Sequence, residues 1–218
     1  MTNWRVTITG ADDNTNPVDM LLLSRRFPFV EWGILCSDKR AGTPRYPSTL
    51  WTLGLMTAID ANVSIAAHLC GQTARSFMTG ESVLCGPGRI QVNGFDVEKS
   101  AGMYRPRFTG EIILQCRSEE TLQDVATFAT KHPGLNASVL YDVSGGNGIA
   151  PFRWPRAPFG CRMGYAGGIN PDNVFDVLSE IGPVEPTWID MESGVRTNDR
   201  LDMEKVEMVL RKVASLTP

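Results

Sequence analysis

Histidine is almost absent from this chain: His68 and His132 are the only two. The five cysteines (Cys36, Cys70, Cys85, Cys116 and Cys161) are odd in number, widely spaced and never in Cys-x-x-Cys pairs. With so few imidazoles to complete a ligand set, this spacing excludes the common zinc and dithiol motifs. Unpaired thiols of this kind suit a reducing compartment, so the cytoplasm is the expected location. An excess of one charge is missing too. Lys plus Arg is 21 against 24 Asp plus Glu, a net charge of −3, which leaves no electrostatic footprint for nucleic acid or an anionic membrane surface. No apolar run approaches the roughly 20 residues that span a bilayer. Residues 1–10 lack the basic-then-apolar pattern of a signal peptide. Also missing is a Gly-x-Gly-x-x-Gly turn after the first strand, which counts against a dinucleotide-binding open sheet.

Glycine and proline, at 21 and 14 of 218 residues, are plentiful and predict many short connections. Hydrophobic residues at 42% with 21% charged are enough for a folded core and exclude wholesale disorder. Short runs rich in Val, Ile, Leu and aromatics predict strands over 5–9, 30–36, 63–69, 89–93, 111–116, 138–143, 162–166 and 187–190. Helical patterns fill most of the gaps. Asn16-Pro17 opens one through Met20–Leu23, Ser48 caps a second, and Ser118 starts a third that stops at His132-Pro133-Gly134. Asn170-Pro171 opens another with Val174, Val177 and Leu178 on one face, and the last runs from Asp202. Residues 72–78 read as helical, and 95–109 predict no helix. Eight strand–helix alternations in a chain of this length predict an α/β protein with one domain over 1–218, a single (β/α)8 barrel.

In such a barrel the reactive groups stand at the C-terminal ends of strands and in the loops that follow. Those ends read Thr9-Gly10, Cys36-Ser37, His68, Asn93-Gly94, Gln115-Cys116, Asp142, Gly167-Gly168 and Asp190. A purely structural rim would carry apolar residues at several of them. Asp142 precedes Gly145-Gly146-Asn147-Gly148, which reads either as a flexible turn or as a loop closing on substrate beside a carboxylate. Gly167-Gly168 before a capped helix, and Ser193-Gly194 shortly after Asp190, are turns whose backbone N–H groups suit an anion. Many barrels build a shared phosphate site from the loops after strands seven and eight.

The segments around these residues resemble the phosphoribosylanthranilate isomerase family. Asp142, Gly145-Gly146-Asn147-Gly148, Trp154, Ala166–Val174 and Asp190–Val195 follow the order of its C-terminal motifs. Gln91-Val92-Asn93-Gly94 looks like its Gln-Leu-His-Gly, and Thr43-Pro44-Arg45-Tyr46 like its Ser-Pro-Arg-Tyr. The resemblance implies a phosphate-binding barrel that needs no organic cofactor or metal. It also implies Asp142 as general acid, Gly167, Gly168, Ser193 and Gly194 around the phosphate, and Asp190 orienting the substrate. Three departures stand out. Thr9 replaces the cysteine that serves the family as base, Asn93 replaces a histidine, and Arg196 replaces a glutamate. A threonine hydroxyl is too weakly acidic to become an anionic base without an activating neighbour. Substitute bases are His68, which titrates near neutral pH, and Cys70. Cys36 reads as inert, and Asp12 and Asp13 as solvated loop carboxylates. Arg40 and Arg45 are candidates to clamp a phosphate or carboxylate, or are plain surface residues. The expected function is acid–base isomerisation of a small phosphorylated sugar or sugar-amine by a monomer or homodimer, inefficient in the tryptophan-pathway reaction itself. The alternatives are a non-catalytic phosphosugar-binding barrel and a related lyase or epimerase.

Overall fold

A computed structural model describes residues 4–58, 63–82, 86–100, 107–182 and 187–216. Cys85, singled out above, lies outside them. Eight strands run parallel: β1 (Trp4–Thr9), β2 (Val30–Cys36), β3 (Ser64–Leu69), β4 (Arg89–Val92), β5 (Glu111–Cys116), β6 (Ala137–Asp142), β7 (Met163–Ala166) and β8 (Thr187–Met191). Each pairs with its neighbours in sequence, and β1 closes on β8 in register Thr7 to Asp190. The chain forms a closed (β/α)8-type barrel.

Among the described residues seven helices surround it: α1 (Pro17–Arg26), α2 (Thr49–Ala58), α3 (Gly71–Met78), α4 (Val97–Ser100), α5 (Glu119–Lys131), α6 (Val174–Ile181) and α7 (Met203–Ser215). Asn16, Ser118 and Asp202 accept hydrogen bonds from the first-turn amides of α1, α5 and α7, as their side-chain chemistry predicts. Two readings need correction. The single turn of α4 falls where no helix is expected, within 95–109, of which 101–106 lie outside the described residues. The helix expected to open at Asn170-Pro171 begins at Val174. Asn170 Oδ1 instead takes the amides of Asp172 and Asn173, and that local turn competes with the helix. Between β6 and β7, residues 143–162 contain no helix; Pro151, Pro155 and Pro158 deny donors to one, and the preceding glycines favour turns. Trp154 anchors this long loop edge-on against Tyr165, 5.9 Å between ring centres, and the Tyr165 hydroxyl donates to the Pro155 carbonyl at 2.8 Å.

Alternation along each strand builds two interiors. Outward residues such as Val6 and Ile8 pack with the helices in the main core. Inward, Ile113, Leu140, Ala166 and Trp188 form a small apolar centre. Below it, Arg89 bridges Glu31 at 2.8 Å and Glu111 at 3.0 Å, and its guanidinium lies 4.2 Å from the Trp188 ring centre. Gly164 leaves room for that indole, because any Cβ there would collide with it. The same inward rows continue upward to Thr9, His68, Gln115, Asp142 and Asp190, so the strand period itself delivers polar groups to one end.

Candidate active site

The C-terminal ends of the strands surround a cavity of about 970 Å³. Every candidate named from the sequence for chemistry or phosphate binding lines it: Thr9, His68, Asp142 and Asp190 below, and Arg45, Asn93, Gly145, Gly146, Gly167, Gly168, Ser193 and Gly194 around them.

Position nine is not isolated. Thr9 Oγ1 donates to Asp190 Oδ1 at 2.7 Å and lies 3.5 Å from His68 Nδ1. Gly33 on β2 makes this cluster fit: a Cβ there would meet the Thr9 hydroxyl and stand 2.7 Å from His68 Cε1. Burial pushes Asp190 up to about 8, with the charges of Asp142, Glu192 and Glu31 acting in the same direction against the Thr9 hydrogen bond. Burial, with Arg89 nearby, pushes His68 down to about 3. At neutral pH the cluster therefore carries a proton on Asp190 and a neutral imidazole. This corrects the reading of His68 as a group titrating near neutrality, and its Nε2 has no hydrogen-bond partner.

Asp142 is held differently from the open carboxylate expected. Oδ1 accepts from the Ser144 amide (3.1 Å), the Ser144 hydroxyl (2.7 Å) and the Gly145 amide (3.2 Å). Oδ2 accepts from Gln115 Nε2 at 2.8 Å. The carboxylate anchors the loop after β6. That loop in turn covers the diglycine turn: a Cβ on Gly168 would lie 2.6 Å from the Ala150 amide nitrogen. Gly167 and Gly168 have φ of +113° and +63°, a backbone that disfavours other residues. Gly194 packs on the Ile169 carbonyl, which joins the β8 turn to the β7 turn.

No protein-family model matches the chain. N-(5'-phosphoribosyl)anthranilate isomerase of Oceanobacillus iheyensis is 29% identical over 97 residues, 43% of this chain and 46% of that protein. The match thus spans less than half the length of that relative. The solved phosphoribosylanthranilate isomerase of Thermotoga maritima superposes with a TM-score of 0.63 at 16% identity, covering 98% of this chain and 100% of the other. The Thermus thermophilus enzyme gives 0.63 at 20%, covering 97% and 99%. The fold of this chain is similar to that of these isomerases. A further such structure, also 0.63 at 16% and covering 98% and 100%, holds reduced 1-(o-carboxyphenylamino)-1-deoxyribulose 5-phosphate.

The rest of the barrel rim is cross-linked by charge. Arg45, a candidate clamp for a phosphate or carboxylate, engages two carboxylates of the chain itself: its Nη1 meets Glu192 Oε1 at 3.1 Å and its Nε meets Asp199 Oδ1 at 2.9 Å. Asp12 is buried rather than solvated. Its Oδ2 accepts from the Arg45 amide at 2.8 Å and pairs with Arg196 Nη2 at 3.3 Å. Burial pushes Asp12 up, yet the donors from Arg45 and Asn14 and the Arg196 charge outweigh it and hold the carboxyl below its usual value. Arg196 also donates to the Gly10 carbonyl, so it clamps the first and last loops from beneath. Asn93 donates to Cys70 Sγ at 3.1 Å and accepts from Gln91, while the Tyr46 hydroxyl reaches the same sulfur at 3.7 Å. Arg40 stacks 4.1 Å from the centre of the Tyr46 ring. Among the described residues no cluster of three or more His, Cys, Asp or Glu is arranged to hold a metal ion, and no helix is long and apolar enough to cross a membrane.

Glu192 escaped the sequence reading. It lies between two noticed features, Asp190 and Ser193-Gly194, and the only available signal was an acid inside a glycine-turn motif.

Proposed function

We propose that this barrel isomerises a phosphorylated sugar or sugar-amine by acid–base proton transfer and turns over phosphoribosylanthranilate poorly. The observation that carries this reading is the convergence of two glycine turns and the Thr9–Asp190 pair on one cavity. The phosphate lies at the turns of Gly167-Gly168 and Ser193-Gly194, which line the cavity and are of the kind whose backbone N–H groups suit an anion. Asp190, which burial keeps protonated near neutral pH, delivers a proton to the ring oxygen as the ring opens. Thr9 holds that carboxyl in place. Asp142, whose oxygens are engaged by Ser144, Gly145 and Gln115, anchors the loop after β6 and raises Asp190 by its charge. This moves the acid role from Asp142, where the family resemblance put it, to Asp190. Thr9 and Asn93, two of the departures from the resemblance pattern, line the mouth, which is why the tryptophan-pathway substrate is a poor one.

The test combines binding and turnover. Calorimetry with inorganic phosphate and ribose 5-phosphate is expected to show binding, and Gly168→Val to weaken it at least 10-fold. Loss of phosphoribosylanthranilate fluorescence is expected to be slow with the unmodified protein, and faster but below a competent isomerase with Thr9→Cys. General base catalysis contributes about 10²–10⁴-fold, which sets the size of the expected deficit. Efficient turnover by the unmodified protein would overturn the low-efficiency part of the reading. Absence of binding by either phosphate ligand would overturn the phosphate site.

A further inference from the structure

Proton transfer at carbon needs a base whose oxygen or nitrogen is free to approach the substrate, and the cavity offers few. Asp142 has both oxygens occupied by donors. His68 is buried among strands with its ring on Gly33, and Asp190 is bound to Thr9 and keeps its proton. Cys70 lies under Tyr46 and Asn93. Glu192 is different. Its side chain, 17% exposed, leaves the end of β8 and crosses the mouth toward the end of β1. Its Cγ lies 3.2 Å from where a Cβ on Gly10 would stand, next to position nine, and Oε2 lies 3.7 Å from the corresponding point on Gly146. Both glycines have left-handed φ, +92° and +93°, so the carboxylate sits between two backbones that carry no side chain. Arg45 holds Oε1 at 3.1 Å, and no described residue donates to Oε2.

We propose that Glu192 is the catalytic base of this barrel, replacing from strand eight the group that position nine no longer supplies. The assignment rests on the isomerase reading above. In the step, Asp190 protonates the ring oxygen of a phosphorylated glycosylamine, and the nitrogen lone pair forms the C1=N bond as the C1–O bond breaks. Glu192 Oε2 then takes the hydrogen from C2. The C2–H electron pair becomes the C1=C2 bond, and the C1=N π pair returns to nitrogen. Asp190, now a carboxylate, takes the proton from the C2 hydroxyl while protonated Glu192 returns its proton to C1. One proton has moved from C2 to C1 and one from O2 to the ring oxygen, and both carboxyl groups are restored. No oxidant or further reactant is needed. The charged and titratable groups facing Glu192 are Arg45 and Arg196, which favour its anion, and Asp142 and Asp190, which oppose it; burial and Asp142 raise it above an ordinary glutamate, while Arg45 limits the rise.

The experiment follows two rates in the full-length protein: loss of phosphoribosylanthranilate fluorescence, and exchange of the C1 hydrogens of ribulose 5-phosphate in D2O by proton NMR. Glu192→Gln keeps the shape and a hydrogen-bonding oxygen for Arg45, and is expected to lower both rates at least 10²-fold. Inorganic phosphate affinity is expected to stay within about twofold. Glu192→Asp is expected to recover part of the rate, and the acid limb of the pH profile to vanish in Glu192→Gln. If Glu192→Gln keeps half or more of either rate, the base assignment is overturned while the isomerase reading stands. If the unmodified protein binds phosphate yet catalyses neither process, the base assignment is overturned and the binding-only barrel is favoured. If it neither binds phosphate nor catalyses, the isomerase reading falls and this assignment with it.

Discussion

Between about pH 4 and pH 8 the native protein keeps on Asp190 a proton that the unfolded chain releases, because its folded value is raised from 3.8 to about 8. A state that binds the extra proton loses ground as pH rises, so Asp190 lowers stability progressively across that window. His68 has the other sign. Its folded value, lowered from 6.5 to about 3, means that the unfolded chain binds the extra proton, and stability falls as pH drops below 6.5. Asp190→Asn is therefore expected to be more stable than the unmodified protein at pH 8, on the order of 1–3 kcal/mol, with the gap closing toward pH 4. Urea melts at several pH values would read it, and a gap independent of pH would refute the shift. Thr9 illustrates the same local logic. Its hydroxyl is a poor base alone, but its partners were hidden from the sequence because they lie 59 and 181 residues away.

Among the elements, the loop after β6 depends on one side chain. Asp142 accepts two backbone amides, a hydroxyl and an amide side chain, and removing it strands those donors in a buried place. Asp142→Ala is expected to cost about 2–4 kcal/mol and to speed hydrogen exchange across 144–148, because each buried group left unpaired costs about 1–3 kcal/mol. Mass-spectrometric exchange confined to its ordinary rates in that segment would contradict the anchoring role. The neighbouring element β2 carries a steric prediction. Gly33→Ala would drive a methyl into the Thr9 hydroxyl and the His68 ring, so a loss of about 1–3 kcal/mol, as for other overpacked sites, is expected together with lost turnover. Helix α2 shows the limit of reading helices from composition. Its Leu50, Leu53 and Met56 face outward at 82%, 59% and 44% exposure, and only Leu55 is buried against the barrel.

Across the whole molecule, stability and chemistry sit at opposite ends of one set of strands. The lower end holds Glu31 with Arg89, Arg5, Thr7 and Ser64, and the upper end holds the cavity. Breaking the lower pair should leave an unpaired buried charge, so Glu31→Ala is expected to cost about 3–5 kcal/mol while phosphate affinity stays unchanged. Thermal melts and calorimetry would separate the two effects, and a parallel loss of phosphate binding would deny that the ends are independent. The sequence by itself determined the strands and most helix starts, because a two-residue period, β-branched runs and polar caps are local signals. It also marked the candidate rim, since a barrel places strand ends together whatever their spacing in the chain. Only the tertiary structure decided which rim groups are free to act. Arg45 and Arg196 have the same charge in the sequence, yet one reaches across the mouth to Glu192 and the other ties Asp12 and Gly10 from below. Asp142, Asp190 and Glu192 are likewise three acids until packing fixes their donors, their burial and their distances from one another. Those quantities depend on strands far apart in the chain, and local residue patterns do not encode them.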